Sequence, residues 1–292
     1  MSPGELAALG TATCWTASSL TFEAAARRIG SLSLNLIRVV AAFGWLAIAG
    51  WLLRGRALPT DATAAQWGWL TLSGLVGMTL GDLSTFRAYV EIGARRTAVI
   101  STSTPIFAAA LGWIGLGERV TAVEALGMVV IVLGVALAVS GRASDGGHGR
   151  TGRGVLLALG GSLGQAGGLL LSKHGLAGYP VVPATQIRVL AGIAGFAVVL
   201  TVARWWRNLA GALHDGRALG YTTAGALLGP CIGVALSLYA VTHAHAGVAA
   251  SIMSTTPILI IPIVIARGER VGLEGVIGAA CAVAGVALLA AA

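Results

Sequence analysis

Long apolar stretches, separated by short polar segments, run along the whole chain. Each stretch has about 20 residues, which is the length that an α-helix needs to cross the hydrocarbon core of a bilayer. We count ten of them: 4–25, 31–53, 66–90, 96–116, 121–140, 154–173, 182–203, 217–242, 246–266 and 272–291. The pattern therefore predicts an all-α membrane protein with ten transmembrane helices.

The second half of this pattern repeats the first. The tetrapeptide GERV at position 117 recurs at position 268, and the tripeptide STP at position 103 recurs as TTP at position 255. Each half would hold five spans, and because five is odd the second half must enter the bilayer upside down relative to the first. Such inverted repeats place a binding site near the bilayer midplane, between the halves.

The predicted boundaries follow from the repeat. The first five-helix repeat covers residues 1–140 and the second covers 154–292. Between them, residues 141–153 form a polar, glycine-rich linker.

Composition agrees with a place in the bilayer. The chain is 56% hydrophobic and only 10% charged, with a mean hydropathy of +0.86, whereas soluble domains carry about 25% charged residues. The net charge of +8 could indicate a nucleic-acid partner. The basic residues lie at the ends of apolar segments, however, so membrane topology explains them better and we expect no nucleic acid.

The sequence offers no pattern for a cofactor, a metal or catalysis. It contains no P-loop and no HExxH. A formal dinucleotide fingerprint, Gly147-x-Gly149-x-x-Gly152, follows no predicted strand, so we interpret it as chance. His243 and His245 are two residues apart and would point to different faces of a helix. We therefore expect no cofactor, no metal site and no enzymatic activity.

The spacing of a few residues resembles a known transporter family. The first half carries the pattern Tyr89, Ala94, Pro105, Gly117-Glu118-Arg119, Gly127 and Gly134-Val135. The second half carries Tyr239, Ala246, Pro257, Gly268-Glu269-Arg270, Gly278 and Gly285-Val286. Both resemble the EamA domain of the drug/metabolite transporter (DMT) superfamily. The resemblance implies a ten-helix transporter, often an exporter of amino acids, other metabolites or drugs, and we expect it in a prokaryotic plasma (inner) membrane.

The leading hypothesis is a secondary active transporter that exports a small metabolite, such as an amino acid, by alternating access. A lipid or lipid-precursor flippase and a multidrug efflux carrier remain alternatives. The expected partners are a small-molecule substrate and the lipid bilayer, with coupling to protons or another ion left open. The positive-inside rule would place both termini outside, because most arginines lie on the opposite side. The family resemblance implies termini inside, so the orientation stays open.

We expect the central cavity to be lined by the first, third, fourth, sixth, eighth and ninth spans. The candidate lining residues are Trp15, Asp82, Phe86, Arg87, Ser103, Gln165, Tyr239 and Thr255. Asp82 is the foremost candidate, since a charge at the bilayer centre costs about 2.5–3.5 kcal/mol on insertion scales and needs a reason. Its counterpart in the repeat is Val234, so the scaffold itself does not require a carboxylate.

Two further groups of residues are candidates for gating and coupling. The gating candidates are the arginine pair Arg38 and Arg188 and the proline pair Pro105 and Pro257. The arginines could instead extend to the interface, and the prolines could simply kink their helices. Each proline should free a carbonyl four residues earlier, at Ser101 and Met253.

The coupling candidates are Asp82, Glu91 and His243. Arg87 and Glu91 are four residues apart, so they could also form an ion pair on one helix face.

Overall fold

The structure is a computed structural model that describes residues 1–140, 152–176, 178–256, 258–259, 262–263 and 273–291. For residues 86, 89–90, 93–96, 98–99, 138–140 and 290–291 it describes only the backbone. Within these ranges the regular secondary structure is helical throughout.

Seven helical segments form the first half of the described chain. They are α1 (Pro3–Ile29), α2 (Ser31–Arg54), α3 (Ala64–Ser73), the π-helical segment π1 (Gly74–Gly81), α4 (Asp82–Ser101), α5 (Thr104–Leu116) and α6 (Ala122–Ser140). The second half begins with α7 (Gly152–Leu176). The remaining segments are α8 (Val181–Val202), α9 (Trp206–Ala212), α10 (Gly216–Ala226), π2 (Leu227–Gly233), α11 (Val234–His243), α12 (Ala246–Met253) and α13 (Leu273–Ala291).

Local sequence sets the helix ends. Ser2 and Glu5 form a capping box at the start of α1, which satisfies backbone N–H groups that have no partner within the helix. Gly30 separates α1 from α2 with φ +76°, a conformation that a residue with a Cβ rarely adopts. Gly117 ends α5 in the left-handed region with φ +66°. α1 thus turns tightly into α2, and α5 ends at the residue before the GERV tetrapeptide.

A wider π-helical turn interrupts the same span in each half. π1 ends at Gly81 and π2 ends at Gly233, 152 positions later, and the helix then resumes at Asp82 and Val234 respectively. A π-helical turn inserts extra backbone into an α-helix and is often found at functional sites. The repeat seen in the sequence therefore extends to an unusual backbone feature.

The expected proline breaks also have a defined geometry. α4 ends at Ser101, and α5 begins at Thr104 with Pro105 in its first turn. The Thr104 hydroxyl donates to the Ser101 carbonyl at 2.8 Å. In the second half, the Thr256 hydroxyl donates to the Met253 carbonyl at 2.8 Å. The two carbonyls expected to be freed are thus satisfied by threonine hydroxyls.

One predicted boundary is wrong. The sequence predicted a span ending at 90 and another beginning at 96, whereas α4 is a continuous helix from Asp82 to Ser101. The residues from 91 to 95 contain no proline, and a single glycine does not stop a helix. The corresponding break in the second half is present, because Ala244 is extended between α11 and α12.

Reciprocal glycine contacts join the last span of each half. A methyl group placed on Gly127 of α6 would lie 3.1 Å from the Gly285 carbonyl of α13, and one on Gly134 would lie 2.7 Å from the Gly278 carbonyl. Gly278 and Gly285 are the repeat counterparts of Gly127 and Gly134. Each glycine therefore meets the counterpart of the other, which is the pattern of contacts across a pseudo-two-fold axis.

A second reciprocal contact joins the first span of each half to the π-helix of the other. Gly168 and Gly164 of α7 meet Gly77 and Gly81 of π1, where a methyl on Gly168 would lie 2.7 Å from the Gly77 Cα. On the other side, α1 packs against π2, where Thr11 donates to the Gly233 carbonyl at 3.3 Å. Small residues allow these close backbone approaches. The two halves are thus interlocked.

The outer surface is apolar, as a bilayer requires. Among the residues that the structure describes, four helical segments are long and apolar enough to cross a membrane: Ser31–Arg54, Gly152–Leu176, Val181–Val202 and Gly216–His243. α5, α6 and α13 contribute shorter apolar helices. Large side chains such as Leu53, Ile114 and Val202 are more than 70% exposed on these helices, and such patches indicate lipid contact. The count of ten spans stays a prediction.

Candidate functional site

A cavity of about 470 Å³ lies between the two halves. Residues from α1, α4, α7, π2, α11 and α12 line it, together with single residues from α2, π1, α5, α6 and α8 and with residues that follow α4 and α12. The polar and charged lining residues are Ser18, Ser19, Arg38, Asp82, Ser101, Thr102, Thr104, Gln165, Arg188, Ser237, Ser254 and Thr256. The cavity is therefore polar along the helix breaks and carries three charged side chains.

Asp82 is held by two side chains from other helices. Arg38 of α2 donates to Asp82 Oδ2 through Nη2, and Gln165 of α7 donates to Asp82 Oδ1 at 2.9 Å. The Arg38 guanidinium also lies 5.8 Å from the centre of the Phe22 ring, a distance at which a cation is attracted to an aromatic face. Both oxygens of Asp82 thus have donors, and its charge is matched by Arg38.

Sequence reasoning did not pair Arg38 with Asp82. It treated the arginine as a gating residue and sought an unnamed partner for the carboxylate. The signal that could have found the pair is the presence of opposite charges within two consecutive spans, since buried charges are normally paired.

Arg188 occupies the equivalent place in the second half, 150 positions after Arg38. It lies on α8, is only 5% exposed and lines the same cavity. Its Nε and Nη1 atoms donate no hydrogen bond to any residue that the structure describes. The two predicted gating arginines therefore face one cavity, one with a carboxylate partner and one without a partner among these residues.

Each π-helix is followed directly by a residue that lines the cavity. Asp82 is the first α-helical residue after π1, and Val234 is the first after π2. Both line the cavity. The same backbone device thus presents a carboxylate from one half and an isopropyl group from the other.

Of the other predicted lining residues, Trp15 and Gln165 line the cavity, whereas Ser103, Thr255 and Tyr239 do not. Ser103 is half-buried in the turn between α4 and α5, and its hydroxyl has no hydrogen-bond partner among the described residues. Thr255 is buried and donates to the Ile252 carbonyl at 2.7 Å. Tyr239 is 37% exposed and stacks on His243. Their neighbours Ser101, Thr102, Thr104, Ser254 and Thr256 face the cavity instead.

Arg87 and Glu91 lie away from the cavity. The Arg87 side chain is 64% exposed, and its Nε lies 3.9 Å from Glu91 Oε1. Glu91 also faces Arg153 of α7, with 3.4 Å between Oε1 and Nε. Both arginines and Glu91 therefore belong to an exposed ion-pair group between α4 and α7, which matches the structural alternative for the Arg87–Glu91 pair.

His243 lies in a separate pocket at the end of the molecule where α1 begins. This terminal pocket has a volume of about 770 Å³ and includes Glu118, Glu124, Lys173 and His245. Lys173 donates to Glu118 at 2.6 Å, and Glu118 accepts from the Ala246 N–H at 2.8 Å. Glu118 of the first half thus caps α12 of the second half and pairs with α7.

The remaining predicted site residues are the two prolines Pro105 and Pro257 and the aromatic residue Phe86. Pro105 lies in the first turn of α5, where its missing N–H costs no helical hydrogen bond. Pro257 lies outside the described residues, and for Phe86 only the backbone is described. The described residues contain no group of three or more His, Cys, Asp or Glu side chains that could hold a metal ion.

The cavity can therefore hold a small molecule between two pseudo-equivalent halves, with hydroxyls, one ion pair and one further guanidinium for polar contacts. It offers charge recognition and no arrangement of a nucleophile with a base among the described lining residues.

Comparison with known proteins agrees with this geometry. A solved crystal structure of a protein superposes with a TM-score of 0.71 at 16% identity, over 98% of this chain and 95% of that chain. No curated protein matches the sequence. The model of the EamA-like transporter family matches residues 2–140 and again 152–291. The chain is an integral membrane protein of DMT type, and it belongs to the EamA-like transporter family.

Proposed function

We propose that this protein is a secondary active transporter that moves a small metabolite, such as an amino acid, out of the cell by alternating access. The observation that carries the proposal is the cavity between the two halves, lined by equivalent elements from each. Its volume of about 470 Å³ falls in the range of about 300–1,000 Å³ typical of small-molecule sites.

The proposal includes the arrangement in the bilayer. Residues 1–140 and 154–292 form two inverted five-helix repeats, and residues 141–153 link them. The reciprocal contacts of α6 with α13, and of α1 and α7 with the π-helices, support a pseudo-two-fold axis between them. Rocking of one half against the other would expose the central cavity to each side in turn. We place the protein in a prokaryotic plasma membrane.

Asp82 is the coupling candidate that the geometry favours. It lines the cavity and is bound to Arg38 and Gln165, which come from two different helices. A proton or a substrate cation that competes with Arg38 for this carboxylate would change how α2, α4 and α7 are joined. Glu91 and His243 lie outside the cavity, in the exposed ion-pair group and the terminal pocket.

The test is counterflow in proteoliposomes that contain the purified protein. Vesicles loaded with unlabelled phenylalanine, leucine or 3-phenylpropionate are diluted into a trace of the same labelled compound. A carrier gives uptake that saturates with concentration and is stimulated by substrate on the opposite side. A flux that stays linear with concentration, or scrambling of fluorescent lipids without solute exchange, would contradict the proposal and favour a channel or a lipid flippase.

A further inference from the structure

Arg188 carries a charge that the described residues do not neutralise. The side chain is 95% removed from the surface, since its residue is 5% exposed, and it lines the central cavity. Two of its nitrogens, Nε and Nη1, donate to no described residue. A buried guanidinium without a partner is costly, so it needs either an anion or a functional reason.

Comparison of the two halves shows which partner Arg188 lacks. In the first half, Arg38 pairs with Asp82, and Gln165 donates to the same carboxylate. The counterparts of these three residues are Arg188, at an offset of 150, Val234, at an offset of 152, and Trp15, at an offset of 150. All six line the cavity. The arginine is kept in both halves, but the carboxylate is replaced by valine and the amide by an indole.

Val234 lies on a helix that packs against the helix of Arg188. α8 and α11 contact each other, with Ile187 beside Arg188 and Leu238 one turn after Val234 in the same apolar cluster. The second half therefore keeps the arginine of the ion pair and has an apolar side chain at the position equivalent to Asp82.

The charged lining residues leave the cavity with one excess positive charge. Arg38 and Asp82 neutralise each other, and Arg188 remains. A ligand with one net negative charge completes this balance. The ammonium group of a zwitterion or a cation, in contrast, would have no carboxylate without a cationic partner among the described lining residues, since Asp82 is already paired with Arg38.

We propose that Arg188 binds the carboxylate of the transported molecule, and that the substrates are small monocarboxylates with an apolar body. A guanidinium offers parallel N–H groups through Nη2 together with Nε or Nη1, the geometry that carboxylates accept best. The apolar body has surfaces to contact in Trp15, Met78, Leu169 and Met253. This inference rests on the proposed function, because it assigns the substrate class of the same cavity.

The first experiment compares three ligands that share one aromatic body. 3-Phenylpropionate has a net charge of minus one, phenylalanine is zwitterionic and phenethylamine is cationic. Calorimetric titration of the purified protein in neutral detergent should give the tightest binding for 3-phenylpropionate, at least about ten-fold tighter than for phenylalanine, and the weakest for phenethylamine. Inorganic phosphate serves as an anion without an apolar body and should bind more weakly than 3-phenylpropionate. Equal binding of the three aromatic ligands, or tighter binding of phosphate, overturns the proposal.

The second experiment supplies the missing carboxylate from the protein. The substitution Val234→Asp should place an internal partner beside Arg188 and reduce 3-phenylpropionate affinity at least about ten-fold. Val234→Asn is the matched control, because asparagine has nearly the same shape as the introduced aspartate but no charge. We expect it to reduce 3-phenylpropionate affinity less. Arg188→Gln should lose the preference for the anion over the zwitterion. Because Arg188→Gln could fold poorly, size-exclusion profiles and melting temperatures accompany each variant, and Val234→Asp decides the result alone if needed.

Binding and transport separate the two proposals. Binding in detergent does not require transport, so the ligand series can succeed or fail without it. If phenylalanine is carried in counterflow and Val234→Asp leaves that transport unchanged, the protein is a transporter but the carboxylate site is wrong. If 3-phenylpropionate binds in the predicted order but no compound shows counterflow, the site stands and the transport proposal fails.

Discussion

Asp82 is the residue in which the two halves differ most consequentially. Its carboxylate accepts hydrogen bonds from Arg38 and Gln165, whereas the equivalent Val234 has no polar side-chain atom that could accept them. Breaking a buried ion pair by removing one partner typically costs about 3–5 kcal/mol, because the remaining charge is left uncompensated. The pair is about four-fifths buried by side-chain exposure, at 17% for Arg38 and 18% for Asp82, so the upper part of that range does not apply.

Substituting Asp82→Asn keeps the shape and the hydrogen bond to one donor but removes the charge. We expect a folded, membrane-inserted protein whose transport is reduced at least several-fold, with an altered pH dependence if a proton is coupled. Initial rates of counterflow between about pH 5.5 and 8 bracket the relevant titrations. Glu23→Gln is the matched control, since Glu23 forms an exposed pair with Arg27. If Asp82→Asn behaves like the parent protein over this range, Asp82 is only a structural residue.

At the scale of the helices, the crossing of α7 over π1 depends on Gly168 and Gly77 and not on the adjacent Gly167. A methyl group on Gly168 would lie 2.7 Å from the Gly77 Cα, but one on Gly167 would lie 3.6 Å from the nearest atom, a side-chain carbon of Val76. The first distance requires a backbone shift, and the second is an ordinary contact. The crossing holds Gln165 close to Asp82, so its geometry also determines the site.

Gly168→Ala should therefore destabilise the protein by about 1–3 kcal/mol, the usual cost of overpacking. Gly167→Ala is the matched control one residue away, and it should be neutral or slightly stabilising because alanine favours helices by up to about 1 kcal/mol over glycine. Melting temperatures in detergent measure both. An equal effect of the two substitutions would show that the close approach of α7 to π1 does not contribute to stability.

The sequence predicted the helical class, the duplication and the helix break at Pro105, whereas Pro257 lies outside the described residues. It could not predict which residues at a break face the cavity. A break resets the helical period, so Ser101, Thr102 and Thr104 line the cavity while Ser103 does not. It also could not pair Arg38 with Asp82, because that pairing depends on how glycines let the helices approach.

At the scale of the whole molecule, loops of one half are tied to loops of the other. The Tyr179 hydroxyl, between α7 and α8, donates to Asp61 Oδ1 at 2.9 Å, and Asp61 lies in the loop before α3. Arg54 pairs with the same carboxylate. Burial, followed by the hydrogen bond to Asp61, raises the pKa of Tyr179 to about 12 from its ordinary value of 10.0. This contact lies outside the membrane-spanning segments.

The raised pKa has a defined consequence for stability. Folding favours the neutral phenol, so its contribution is fully present below about pH 10 and is lost as the pH rises towards 12. Chemical unfolding should therefore show stability that declines over this interval, and Tyr179→Phe should remove part of the decline. Tyr221→Phe, at an exposed tyrosine of α10, is the control. A decline that is the same in the parent and in Tyr179→Phe would mean that this phenol does not link the halves.

The interlocking of the halves has a consequence for how the chain is made. π1 is synthesised before α7, the helix that packs on its glycines. The glycine face of π1 therefore stays uncovered during synthesis, because π1 ends at Gly81 and α7 begins only at Gly152, about 70 residues later. The separation is larger for α1 and its partner π2, since α1 ends at Ile29 and π2 begins at Leu227. Contacts between residues so distant along the chain form late and slow the search for the native state. A ribosome that stalls after α6 would thus leave the helices of the first half inserted but with their closest-packing surfaces uncovered, a species suited to recognition by membrane quality control.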